Sequence, residues 1–458
     1  MTSIYFLSVA LVAVAAYVAG RGRGAAFAGG EVRLHSLPAY HGLFTAASAL
    51  VPMLAVVVLW GFFAPQLVEM QAISALPADL APVDGLARAA RLREILLVAN
   101  GQAPDGGLPE GVIAAGQVFA RDRMISEWAL MIFGLGAGVA GALWAFRSLD
   151  PHFRARNRFE GIVKWVLIAC SGVAILTTIG IVFSVLFETI RFFGKYPWTD
   201  FLFGLQWSPQ TAIREDQVGQ SGAFGAVPLF VGTALIMVIA MAVAAPVGLF
   251  SAIYMAEYAS PRVRSFAKPV LEVLAGVPTV VFGFFAALTV APFIRELGLS
   301  LGLDTASESA LAAGFVMGVM IIPFVSSLSD DVINAVPQSL RDGSYAMGAT
   351  RSETIRKVVL PAALPGIVSA LMLAVSRAVG ETMIVVMAAG LTANLTFNPL
   401  EAVTTVTVQI KTLLVGDQEF DSAKTLSAFA LGFVLFFFTL SLNVVALRVV
   451  QKYREQYD

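Results

Sequence analysis

The sequence predicts an all-α, polytopic membrane protein with about nine transmembrane helices. Two compositional observations predict it: 58% of the 458 residues are hydrophobic against 13% charged, and the mean hydropathy is +0.79. A soluble domain carries roughly 25% charged residues, so this chain lacks the polar surface to cover itself in water. The third observation is patterning. Apolar residues collect in nine stretches, at 3–19, 43–64, 127–146, 163–187, 227–252, 271–295, 308–328, 366–391 and 426–448. A helix needs about 20 apolar residues to cross the hydrocarbon core.

The first stretch has no basic residue before it, and Arg21 and Arg23 come after it. It therefore reads as an uncleaved helix with its N-terminus outside, not as a removable leader. The second and third are separated by a spacer of Ala, Pro, Gly and scattered charge from Pro65 to Asp122, with one amphipathic helix expected around Asp84–Ala99. The fourth holds Cys170, expected as a small core residue; a single cysteine excludes an intrachain disulfide. After it come Tyr196, Trp198 and Trp207, aromatics suited to a membrane–water interface. The later spans contain Pro246, Pro278, Pro292 and Pro323. These prolines could kink gating helices, or be ordinary residents of membrane helices, where freed backbone groups find other partners. His35, His41 and His152 fall in the connectors, which argues against a haem or metal site within the spans.

The short connectors 20–42, 147–162, 253–270 and 329–365 and the tail after Leu447 carry most of the Arg and Lys and fall on one side, the cytoplasmic one. Arg121 and Arg123 depart from this pattern, in a loop of roughly 60 residues where the rule is weak. A net charge of −1 leaves no cationic surplus for nucleic acid. Residues 1–160 form an N-terminal extension with three predicted spans and a periplasmic spacer; residues 161–458 hold six spans and the informative polar features.

The connector 339–361 is the most distinctive. Ser339 is expected to cap a first helix, Gly348 to supply the turn, Thr350 with Glu353 to form a capping box for a second helix, and Pro361 to end it. Such a helix–turn–helix along a membrane face can dock into a groove on another protein. The segment resembles the EAA coupling loop of ABC-importer permeases. Asp342-Gly343-Ser344 stands for Glu-Ala-Ala, Gly348 matches the glycine, and Val358-Val359-Leu360-Pro361 matches the end, at the same spacing. The alternative is an ordinary amphipathic helix pair.

The eighth stretch contains Ser376-Arg377-Ala378-Val379-Gly380-Glu381-Thr382-Met383. On a continuous helix Arg377 lies roughly 16 Å from Gly366, near mid-bilayer. There a charge costs about 3 kcal/mol or more. Arg377 and Glu381 stand at i, i+4 and are expected to share a face and neutralise one another. Such a pair marks a functional site, or a structural bridge between helices.

The Arg377–Met383 segment resembles the PstC-type phosphate permeases, as do Gly276-Val277-Pro278-Thr279-Val280-Val281-Phe282-Gly283 and Ile253-Tyr254-Met255-Ala256-Glu257-Tyr258. The resemblance covers about residues 161–455 and implies a six-helix type I importer core. It also implies a PstA-like second permease subunit, a PstB-like ATPase dimer that carries ATP and Mg, and a PstS-like periplasmic phosphate-binding protein, with no cofactor on this chain. The only Gly-Lys, Gly194-Lys195, lacks the remainder of a P-loop, in line with ATP hydrolysis elsewhere. Arg377 is expected to meet the anion, Glu381 to neutralise Arg377 when the path is empty and to oppose tight capture. A sulfate or molybdate permease remains compatible with the same chemistry. An ion-coupled secondary transporter would not need the docking loop, and a membrane enzyme would need a catalytic set that the spans lack.

Overall fold

The computed structural model describes residues 2–28, 34–78, 80, 85–102, 108–209, 222–415 and 421–453. Among these residues nine helices are long and apolar enough to cross a membrane, and the regular extended structure is one two-stranded hairpin. The chain forms two compact units, residues 1–176 and 177–458, the division falling inside one helix.

The first unit contains α1 (Thr2–Ala28), α2 (Pro38–Ser74), α3 (Gly85–Ala99), α4 (Glu110–Ser148) and the first part of α5 (Ala155–Phe193). Pro38 opens α2 at a position whose N–H would have no helical partner anyway. At 37 and 39 residues, α2 and α4 are about 56 and 58 Å long, far more than the ~30 Å of hydrocarbon. Much of the expected spacer is therefore an extension of these two helices. Val68, Ala72 and Leu76, Ile95 of α3, and Val112, Ala115 and Phe119 of α4 close into a small core there. Deeper in the unit, Gly134 of α4 faces the Tyr5 ring and Gly138 faces Met53, with no room for a Cβ at either position. Such small residues let membrane helices approach closely. His41 belongs to α2 and is fully buried, contrary to its expected place in a connector, because α2 begins at Pro38. Cys170 is exposed and not a core residue: the apolar stretch of α5 is left uncovered by the described residues.

The second unit continues from α5 through α6 (Trp198–Phe203) and the hairpin β1 (Trp207–Ser208) and β2 (Ala223–Phe224). Phe192, Phe201, Trp207 and Phe224 are buried together, whereas Trp198 is exposed. The chain then runs through α7 (Val227–Ile253), a π turn (Tyr254–Tyr258), α8 (Pro261–Ala275), α9 (Thr279–Phe285), a second π turn (Ala286–Val290) and α10 (Ala291–Ser300). The expected span 271–295 is thus broken at its start. Gly276 closes α8, and Pro278 disfavours helical backbone at Val277. After α11 (Ala310–Ala335) come α12 (Gln338–Ala346), α13 (Arg351–Thr354), a third π turn (Ile355–Val359), α14 (Leu360–Gly380), α15 (Met383–Ala388), α16 (Val406–Leu414) and α17 (Ala423–Tyr453). The main core gathers apolar residues of α7, α9, α11, α14 and α15, many of them small, among them Ala240, Ala244, Phe282, Ala313, Met317, Ala374 and Val385. Pro246 and Pro323 lie inside α7 and α11, Pro292 lies inside the continuous helical run Thr279–Ser300 just after its π turn, and Pro278 precedes α9. Of these four, Pro246, Pro292 and Pro323 remove an N–H from a helical hydrogen-bond ladder, and Pro292 does so next to a π turn, as Pro361 does in α14.

Candidate functional site

The loop between α11 and α14 is a bracket of two short helices joined by a glycine turn. Pro337, not Ser339, stands at the N-cap of α12, and the cap makes no side-chain hydrogen bond. Gly348 turns the chain at φ +83°, a left-handed conformation that favours glycine. Thr350 and Glu353 form the expected capping box: the Thr350 hydroxyl accepts from the Glu353 N–H, and the Glu353 carboxylate accepts from the Thr350 N–H at 3.0 Å. Pro361 does not end the second helix. The chain passes from α13 through a π turn straight into α14, with Pro361 in its first turn. The wider π turn just before it absorbs the missing N–H and the bulk of the ring. Asp342, Gly343 and Gly348 are exposed, as is Met347 at the apex, 89% accessible; Leu360 and Pro361 are half-buried. Ser344 and Thr354 hydroxyls meet at 2.9 Å and tie the two arms together.

Arg341 anchors this bracket, although in the sequence it is only one more basic loop residue. It is buried, donates through Nε and Nη2 to Glu257 Oε1 at 3.2 and 3.0 Å, and donates further to the carbonyls of Val336 and Ile333. Glu257, itself buried, sits in the π turn after α7. A charge pair removed from water holds only when its remaining donors find acceptors, and here four of the five guanidinium N–H groups do so. Beside it, Asp330 of α11 is fully buried and accepts from Arg264 at 2.9 Å and Lys268 at 3.1 Å, both on α8. Lys268 also reaches Asp331 at 2.8 Å, and Asn334 donates to Asp330 at 2.9 Å. The hydrogen bond to Asp331 holds the Lys268 ammonium above the ordinary lysine range against the opposing effect of burial. A raised lysine pKa stabilises the fold fully below the ordinary value of about 10.4 and loses that contribution as pH rises through the folded-state value, so this clamp is intact at neutral pH.

The eighth span differs from expectation at its functional end. α14 stops at Gly380, and Glu381 is extended at φ −71°, ψ 129°. Arg377 and Glu381 therefore do not share a helical face, and no ion pair joins them. The Glu381 carboxylate accepts from the N–H groups of Met383 and Ile384 at 3.0 and 3.4 Å, the first turn of α15. Those amides have no intrahelical acceptor. The Glu381 carbonyl accepts from the Thr407 hydroxyl at 3.0 Å. Gly390, at φ +101°, starts the return of the chain. Gln409 donates to the Leu391 carbonyl at 3.1 Å and accepts from the Trp207 indole at 3.0 Å. Arg377 is exposed on α14, its guanidinium 5.8 Å from the centre of the Phe324 ring. A cation over an aromatic face keeps its in-plane donors free for an anion.

Comparison with known proteins bears on the whole arrangement. Residues 244–455, which contain the bracket, the α8 clamp and the broken helix, match the family described as binding-protein-dependent transport system inner membrane component. Residues 6–177 match a family described as phosphate ATP-binding cassette transporter. The chain is 33% identical over 275 residues to "Probable ABC transporter permease protein YqgH" of Bacillus subtilis, covering 59% of this chain and 84% of that one. It is 30% identical over 319 residues to the phosphate transport system permease protein PstC of Mesorhizobium japonicum, covering 66% of this chain and 90% of the relative. The chain belongs to the PstC family of import permeases. A chain of a bacterial alginate ABC transporter, solved with an alginate pentasaccharide-bound periplasmic protein, overlaps 65% of this chain and 98% of its own length at 15% identity and a TM-score of 0.46. Within residues 244–455, the match to the binding-protein-dependent transport family, fall Arg341, Glu257, Asp330, Arg377 and Glu381 alike. Of these, sequence reasoning singles out only the last two as a site. Glu257 lies within the Ile253–Tyr258 motif with no role assigned to it, and an adjacent acidic pair, Asp330-Asp331, at the end of an apolar span is the one sign pointing to Asp330.

Proposed function

We propose that this chain is the phosphate-translocating permease subunit of an ATP-driven importer in the bacterial inner membrane. It would work with a PstA-like second permease, a PstB-like ATPase dimer that binds ATP and Mg, and a PstS-like periplasmic binding protein. The observation that carries the reading is the exposed guanidinium of Arg377, without an ion pair among the described residues, on the eighth span of a PstC-family chain. Its planar fork suits the oxygens of a tetrahedral oxyanion. Glu381 supports the site by holding the helix break that places Arg377 one turn from the open end of α14. The 338–361 bracket is the part that would dock the ATPase at the cytoplasmic face. With Met347 and Tyr345 outermost and Arg341 locked inside, a push on α12 passes to α7 and α14 as rigid-body movement.

The test is uptake of radiolabelled phosphate at limiting concentration, in cells lacking this gene and complemented with the intact chain or with Arg377→Gln, membrane levels being matched by blot. The intact chain restores uptake. The variant lowers it roughly tenfold or more, since a hydrogen bond to a charged group contributes about 1.5–3 kcal/mol. Equal uptake by both would remove Arg377 from the pathway. A deletion strain without a phosphate defect, in cells with no second phosphate transporter, would move the cargo to sulfate or molybdate.

A further inference from the structure

Within the first unit a groove of about 930 Å3 opens between α2, α4 and the first part of α5. That is near the upper end of the roughly 300–1,000 Å3 of ligand pockets. Its walls are apolar and aromatic, with Phe44, Trp144 and Trp165 prominent, and its polar end holds Ser148, Asn157 and Arg158. Trp144 and Trp165 are 64% and 72% exposed, so two large rings line the groove with nothing among the described residues to cover them. From Asn157 to Ala169 the groove tracks α5 for about 18 Å, close to the ~15 Å depth of hydrocarbon in one leaflet.

The charge at the polar end is one-sided. Residues 147–164 carry five Arg or Lys against two carboxylates. Glu160 is held by Arg156 at 2.6 Å, and Asp150 accepts from the backbone N–H of His152. Arg158 makes no ion pair, and neither it nor Asn157 has a side-chain hydrogen-bond partner among the described residues. An unpaired cation thus stands at the mouth of an apolar channel one leaflet deep. The complementary molecule is an amphiphile with a negative head and a hydrocarbon tail. A second copy of the same surface would bring like charges together.

We propose that this groove binds one anionic phospholipid, its phosphate on Arg158 and Asn157 and an acyl chain along Trp144 and Trp165. Juxtamembrane cations attract anionic lipid, and the rings provide the apolar wall that keeps one molecule in place. The site shares no residue with Arg377 or the bracket and stands whether or not phosphate is the cargo.

The test uses the full chain purified in detergent and examined by native mass spectrometry with phosphatidylglycerol or phosphatidylcholine of identical acyl chains. The intact chain retains one phosphatidylglycerol and releases phosphatidylcholine. Arg158→Gln binds phosphatidylglycerol about fivefold more weakly, the change equivalent to ~1 kcal/mol for one cation at the membrane surface. Arg158→Lys retains the lipid. Arg154→Gln, which removes the same charge outside the groove, binds as the intact chain does. A second readout needs no change at Arg158: brominated phosphatidylglycerol quenches tryptophan fluorescence more than brominated phosphatidylcholine, and the excess disappears in the Trp144→Phe, Trp165→Phe double variant. Equal retention of both lipids, equal weakening by Arg154→Gln and Arg158→Gln, equal quenching by both brominated lipids, or a dimer mass in place of a lipid adduct would each overturn the proposal.

Discussion

The Glu381 carboxylate accepts two amide protons at the start of α15, and Arg377, four residues earlier, rests over Phe324. The two residues therefore respond differently to substitution. Glu381→Gln keeps an acceptor oxygen for Met383 and Ile384, so it should retain most uptake and melt near the parent temperature. Glu381→Ala leaves both amides without that acceptor and should cost about 1 kcal/mol, the typical loss of a helix cap. Thermal melting of the purified protein, paired with uptake, separates the cases. Equal loss of uptake in both variants with unchanged melting would mean that the charge of Glu381, not its capping bond, serves transport. The spacing of Arg377 and Glu381 was legible in the sequence, but the break between them was not. An i, i+4 pair assumes a helix that continues, and Gly380 next to an acid able to cap the following helix makes stopping nearly as favourable.

Among the elements, the bracket was the most legible. Gly348 at its turn and Thr350 with Glu353 at its second helix are local devices, and each does what its residue type dictates. Its anchor was hidden, because Arg341 and Glu257 lie 84 residues apart and only the packing of α12 under the end of α7 brings them together. Removing one partner of a buried pair leaves an uncompensated charge and costs about 3–5 kcal/mol. Arg341→Ala should accordingly lower the melting temperature and membrane level sharply. The Arg341→Met, Glu257→Met double variant should recover much of that loss, since an apolar pair strands no charge. If Arg341→Ala melts like the parent, the bracket is held by its apolar contacts and the ion pair is incidental. Pro361 illustrates the reverse limit: read alone it predicts a helix end, yet the π turn ahead of it lets α14 continue.

At the scale of the whole molecule, the side of the membrane on which each loop lies is set by the basic connectors. The lone cysteine makes this testable. In a Cys170→Ser background, the Met347→Cys variant should react with a membrane-impermeant maleimide in inverted vesicles and remain unlabelled in intact spheroplasts. Labelling in spheroplasts would reverse the topology and place the bracket outside, where no ATPase could reach it. Each unit has cores of its own, the first around Ile95 and Phe119 and around Tyr5 and Met53, the second along α7, α11 and α14. The family match over residues 6–177 takes in nearly all of the first unit.

The sequence by itself determined the class of the protein, the number of spans and the position of the bracket. All three rest on composition, on the length of apolar runs and on turn and capping residues that act within a few positions of themselves. Tertiary structure alone decided where helices end or continue, and which charges meet. α2 and α4 run on past their apolar stretches because α3 packs between their ends, α14 stops at Gly380 because Glu381 caps α15, and Asp330 is buried because Arg264 and Lys268 reach it from α8. These outcomes depend on neighbours far away in the chain. Stopping a helix exposes backbone groups, and burying a charge costs solvation, so each is stable only where another element supplies the partner.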